Sequence, residues 1–221
     1  MGRHSISQKR YLEVAQNFHW AGREHYQLWF TGSLKRHKRT EVMLPRLVEK
    51  KKLKAYRFGN RLVYTVPRRD KTNNYFLKIE HGLACTEGLV RIWRSNMEGK
   101  VISENEFRGK GVIPEWGITY PSETILLFEF CTNDNFARSS LVKNKMLRYE
   151  NDLPAPFNLS PIVLFVIDVS RDRVKRFIEK NLTGERFFFT DYETFLRVPF
   201  GKQLQTPIYF WGEDGRECPL K

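Results

Sequence analysis

Apolar residues recur at three- and four-residue steps through much of the first fifty positions, then switch to alternation. Residues 7–20 place Tyr11, Val14, Ala15 and Phe18 on one helical face. A second short helix is expected over His25 to Phe30, ended by the breakers of Thr31-Gly32-Ser33. In the next segment Met43, Leu44, Leu47 and Val48 make an apolar stripe with Thr40 as a candidate N-cap. Pro45 interrupts that stripe. It fits best if the helix starts nearer Leu44, where the missing N–H falls in the first turn. Residues 53–66 then read as a two-stranded ribbon. Leu53, Ala55 and Arg57 alternate on one arm, Leu62, Tyr64 and Val66 on the other, and Gly59-Asn60 supplies the turn. Pro67 to Lys71 reads as a linker.

The texture changes from residue 75. Ile79, Leu83, Thr86, Val90 and Trp93 predict a long amphipathic helix over Tyr75 to Trp93, in which Gly82 and Gly88 weaken the helix or admit a close neighbour. Strand-like stretches follow at 100–103, 111–119 and 123–132, then a helix at 136–149. Pro161 to Asp168 is a continuous apolar run of the kind buried on both sheet faces. A charged amphipathic helix at 172–182 turns Val174, Phe177 and Ile178 inward, and Arg186 to Thr190 reads as another strand. The order indicates an α+β or α/β domain on a mixed sheet. The expected division is 1–70 and 71–221.

Charge sharpens this division. Of the +13 formal charge on 221 residues, residues 1–78 carry +14 and residues 79–221 carry −1. Three helices followed by a basic hairpin suggest a winged helix-turn-helix, whose third helix enters the major groove while the wing follows the phosphates. The candidate DNA contacts are Lys35, Arg36, Lys38, Arg39 and Arg46 on or before the third helix, and Arg57 and Arg61 on the wing. Lys50 to Lys52 read equally as a solvated helix end. Double-stranded DNA is the expected partner. With 41% hydrophobic residues the chain can bury a core. Its longest apolar run is strand-sized, and no leader-like stretch opens it, so a cytoplasmic protein with no membrane partner is expected. Cys85, Cys131 and Cys218 are too sparse for a disulfide framework or a zinc motif.

The chemistry candidates are acidic. Glu87 lies on the long helix, Glu115 follows Ile113, and Glu129 stands among Leu126, Leu127, Phe128 and Phe130. Burying an unpaired carboxylate there is costly. Two readings follow. Glu115 and Glu129 could share a divalent cation that polarises a phosphodiester and supplies hydroxide. Alternatively, Glu129 forms an ion pair with Lys143 or Lys145. His81 is the histidine nearest these acids in sequence and reads more simply as a helical surface residue.

These same residues resemble a family. Glu80-His-Gly-Leu-Ala-Cys-Thr-Glu-Gly-Leu-Val, Val112-Ile-Pro-Glu-Trp, Leu127-Phe-Glu-Phe-Cys-Thr, Lys145-Met-Leu-Arg-Tyr149, Val163 to Asp168 with Arg173, and Pro207-Ile-Tyr-Phe-Trp-Gly-Glu-Asp-Gly are similar to the replication-relaxation proteins of plasmids, phages and integrative elements. The resemblance implies a winged helix followed by a PD-(D/E)XK, restriction-endonuclease-like domain. It also implies a nuclease-like site at Glu87, Glu115 and Glu129, with Mg or Mn as cofactor if the site is active. The family's lysine position holds Cys131, which supplies no cation and argues for reduced or absent cleavage, unless Lys143 or Lys145 reaches back from the next helix. The implied role is DNA binding in replication, transfer or its regulation, with the second domain recruiting replication or transfer proteins or forming a homodimer. The alternatives are a metal-dependent endonuclease and a transcriptional regulator whose second domain senses a ligand or partner.

Overall fold

The computed structural model describes residues 7–67, 75–95, 98–108, 111–153, 161–181, 186–197, 209–211 and 217–219. The chain is mixed α and β and divides into two compact units, 1–94 and 95–221. Among the described residues no helix is long and apolar enough to cross a membrane.

The first unit runs α1 (Gln8–Asn17), β1 (Ala21–Gly22), α2 (Arg23–Thr31), α3 (Lys38–Glu49), β2 (Lys54–Phe58), β3 (Arg61–Thr65) and α4 (Tyr75–Ser95). Ser7 caps α1 by accepting the Arg10 N–H. The expected stripe of Tyr11, Val14, Ala15 and Phe18 is buried, with the Phe18 ring edge-on to Tyr26 and Trp29. Gly32 ends α2 in the left-handed region, its N–H bonded to the Leu28 carbonyl at 2.8 Å. The short strand β1 completes an antiparallel sheet of order β1-β3-β2, and Gly59, at φ +57°, makes the β2–β3 turn.

Two expectations need correction here. Helix α3 starts at Lys38, so Pro45 lies in its interior and not in its first turn. Pro45 faces solvent while Met43, Leu44 and Leu47 are buried. That apolar anchoring offsets a proline cost of ~3 kcal/mol. Thr40 is not the cap. It is buried, and its hydroxyl pairs with the Tyr11 hydroxyl at 2.9 Å and His37 Nδ1 at 2.8 Å.

The division also falls later than residue 70. Helix α4 packs within the first unit, where Ile79 and Leu83 join Trp20 and Val63 in one apolar cluster backed by Tyr56 and Phe58. Gly82 permits this: a Cβ there would come within 2.4 Å of the Trp20 ring. Trp93 stacks on Trp29 at 4.0 Å, and the Thr86 hydroxyl accepts the His19 N–H at 3.2 Å.

The second unit holds β4 (Lys100–Ser103), α5 (Glu104–Phe107), β5 (Trp116–Thr119), β6 (Ile125–Cys131), α6 (Asn133–Ala137), α7 (Ser139–Asn151), β7 (Pro161–Ile167), α8 (Arg171–Lys180), β8 (Phe187–Asp191), α9 (Tyr192–Leu196), β9 (Tyr209–Trp211) and β10 (Glu217–Pro219). They build a mixed sheet of order β10-β9-β8-β7-β6-β5-β4. β4, β5 and β6 are an antiparallel meander, β6–β7 and β7–β8 are parallel, and β9 and β10 return antiparallel. The continuous apolar run becomes the central strand β7, paired on both sides. Ile125, Leu127 and Cys131 of β6 join Val142, Met146 and Tyr149 of α7 and Val174, Phe177 and Ile178 of α8 in the main core. By strand alternation Glu129 points to this same face.

Candidate nucleic-acid interface and acidic cluster

The predicted DNA contacts fall into two groups. Lys35, Lys38, Arg46 and Arg57 are exposed. Arg36, Arg39 and Arg61 are more constrained. Arg36 Nε donates to both Glu41 carboxylate oxygens at 2.8 and 2.7 Å. Arg61 donates to Glu24 at 3.3 Å and lies 6.0 Å from the Phe58 ring centre. Arg39 is half-buried and bears electrostatically on Tyr11. Exposed pairs such as Arg36–Glu41 contribute little to stability, so a polyanion can displace them at small cost. Lys50 to Lys52 form the turn that closes α3, with Lys50 Nζ donating to Gln8 at 3.2 Å. This is the solvated helix end.

Glu87 is bound inside the first unit. His25 Nε2 donates to one carboxylate oxygen at 3.0 Å, and the Arg91 guanidinium contacts the other at 2.6 Å. His25 Nδ1 accepts the Gly22 N–H at 2.9 Å, which leaves the ring proton on Nε2 for Glu87. Burial alone would raise the Glu87 carboxyl, but His25 and then Arg91 outweigh it and hold the group below its ordinary value. With both oxygens engaged, Glu87 ties α4 to α2.

The acidic cluster of the second unit is drawn from three elements. Glu129, on β6, is 0% exposed. One of its oxygens accepts from Lys145 Nζ and the other from the Tyr149 hydroxyl. Lys145 and Tyr149 stand four residues apart on α7 and so share a helix face. Glu115 lies just before β5, half-buried, with its N–H bonded to the Phe128 carbonyl at 3.0 Å. Its charge reaches Glu129, Lys145 and Tyr149.

Burial drives the Glu129 carboxyl above its ordinary value, with Lys145 opposing and Glu115 adding to the rise. Burial would lower Lys145, but the charges of Glu129 and then Glu115 lift it above its usual range. Tyr149 is held well up by burial and by Glu129. Cys131 is pushed up to about 12, first by burial and then by Glu129, so its thiol stays protonated and unreactive at neutral pH.

Lys145, then, is the basic partner of Glu129, while Lys143 of the same helix is exposed. With Lys145 in place, Glu129 has no open oxygen for a divalent cation shared with Glu115. Such an ion needs open carboxylate oxygens. Both oxygens of Glu129 are occupied, one by an ammonium group. Tyr149 is a participant that the sequence does not single out; its four-residue spacing from Lys145 is the one signal for it.

No protein-family model matches the chain, and no curated protein matches it.

Proposed function

We propose that this chain is a duplex-DNA-binding protein whose first unit docks as a winged helix-turn-helix. The observation that carries the reading is the order α1-β1-α2-α3-β2-β3 with sheet order β1-β3-β2, combined with exposed cations before, on and after α3. In this reading α3 enters the major groove, presenting Lys38 and Arg46 with Lys35 just before it, and the β2–β3 hairpin lies along the phosphates with Arg57. Arg36 and Arg61 join once DNA competes for them. The sequence resemblance supplies the setting, replication or transfer of a mobile element, and the meander β4-β5-β6 followed by α7 and the parallel strand β7 is compatible with the restriction-endonuclease-like reading. The test is the triple variant Lys38→Ala/Arg46→Ala/Arg57→Ala. If each residue neutralises one phosphate, the log–log salt slope of duplex binding becomes shallower by about 3. An unchanged slope rejects this docking surface.

One observation favours a second reading, a metal-dependent endonuclease: Lys145 reaches Glu129 from α7, supplying the cation that Cys131 does not. That reading requires Lys145 to leave Glu129 when metal and DNA arrive. It predicts Mg²⁺- or Mn²⁺-dependent nicking of supercoiled plasmid that disappears in Glu129→Ala. Absence of nicking across metals and substrates rejects it.

A further inference from the structure

The second unit has no net positive charge, yet it gathers cations at one place. A shallow groove of about 570 Å³ runs beside α8, with Lys143 of α7 and Arg173, Arg176 and Lys180 of α8 on its walls and Phe136 and Phe177 as its floor. None of the residues lining it is acidic. The spacing explains the clustering. On α8 the cations stand at i, i+3 and i+7, which is one helix face; Asp172 and Glu179 fall about 40° and about 60° beyond Arg176, at the edge of that face, and do not line the groove. On α7, Val142 and Met146 turn into the core and leave Lys143 on the outer surface.

Part of this surface is already organised. Arg173 donates to the Asn133 side chain at 2.9 Å and lies 5.7 Å from the Phe136 ring centre. Asn181 is tied to the Phe177 carbonyl at 2.7 Å. Among the described residues, none of the four cations is paired with a carboxylate. Four like charges facing one groove repel one another and attract an anion.

We infer that this groove is a second contact for DNA, taking the phosphodiester backbone. The inference rests on the DNA-binding reading above. Two observations choose backbone over bases. Phe136 and Phe177 are 6% and 7% exposed, so their faces are closed to base stacking. The polar groups presented are cationic side chains, which hold phosphates and carry no sequence code by themselves. The stripe from Arg173 to Lys180 spans about 10 Å, or about three nucleotides of one strand at roughly 3.4 Å each. The groove thus contributes affinity and registers the second unit on DNA without reading sequence.

The experiment compares Arg176→Ala/Lys180→Ala with Lys175→Ala/Arg186→Ala in the full chain, on duplexes of two unrelated sequences. The control pair removes the same charge from positions that do not line the groove. The groove pair should make the log–log salt slope shallower by about 2 on both duplexes, and the control pair should leave it unchanged. Equal slopes for the two variants, with steep wild-type binding intact, overturn the groove assignment alone. That result is also the one an acidic protein partner would produce. Failure of the wild-type chain to bind duplex at all overturns the DNA-binding reading and the groove with it.

Discussion

Replacing Lys145 with methionine would leave a carboxylate with no exposed surface facing a single remaining donor, Tyr149. Breaking a buried ion pair from one side costs about 3–5 kcal/mol. The lower end applies here, because a third of the Lys145 side chain, 34%, reaches solvent. The expected loss is therefore ~3 kcal/mol, read as a lower urea midpoint for the second unit. The loss should also depend on pH. Without Lys145, burial and Glu115 act unopposed by the nearest cation and raise the Glu129 carboxyl further. A folded-state value above the unfolded one means that the folded chain binds more protons. Stability then falls as pH rises through that interval, by up to about 1.4 kcal/mol per unit. Lys145→Met should be closest to wild type near pH 5 and furthest from it near pH 8. The double variant Glu129→Leu/Lys145→Met removes both charges and should recover most of the loss, since apolar replacement of a buried pair is often neutral. The assay is urea unfolding followed by hydrogen exchange at amides of β6 and α7, which isolates this unit from the other. An unchanged midpoint in Lys145→Met at both pH values would refute the structural account of the pair.

Three further outcomes are expected. Glu87 has a lowered folded-state value, so its contribution is present above the ordinary 4.5 and is lost as pH falls through the lowered value. Glu87→Gln should flatten that acid limb of the first unit's stability curve. Pro45→Ala should stabilise the first unit by ~1–3 kcal/mol in urea unfolding, because it returns an N–H to the interior of α3 at an exposed position. Gly82→Ala should cost ~1–3 kcal/mol by pushing the Trp20 ring, readable as a shift in the urea midpoint.

Helical spacing in the sequence identified α1 and the apolar faces of α3 and α8, because each buries one stripe; α4 reads as amphipathic but is buried nearly all round, Ala84, Cys85, Leu89, Arg91 and Ile92 included. Alternation with Gly59-Asn60 located the hairpin, and the uninterrupted apolar run located β7. Boundaries were harder. Thr40 has the chemistry of a cap, but its hydroxyl finds Tyr11, distant in sequence, so no local rule signals its burial. Pro45 argued for a later start to α3, yet tertiary burial of Met43 and Leu44 outweighed that local cost. The helix expected at 136–149 is split by Arg138, which leaves helical dihedrals at φ −92° and ψ 72°. Helix α4 looks like the opening helix of a second domain; its place in the first unit comes from long-range contacts that no local pattern signals, Trp20 against Gly82, Trp93 on Trp29 and His25 to Glu87.

The acidic cluster was half legible. Glu129 stands out as a carboxylate among apolar neighbours, and the ion-pair reading offers Lys143 or Lys145, of which the structure selects Lys145. Tyr149 was hidden because a tyrosine at helical spacing reads as core. The groove beside α8 is hidden in the sequence for a different reason: net charge averages over a segment, whereas binding responds to the charges on one surface.

The central claim is tested most directly by the affinity of the full chain for duplex DNA measured across a range of salt concentrations. Contact with about six phosphates predicts that log Kd changes with log salt with a slope of magnitude about 5. Binding that does not respond to salt, or no binding at low salt, would contradict it.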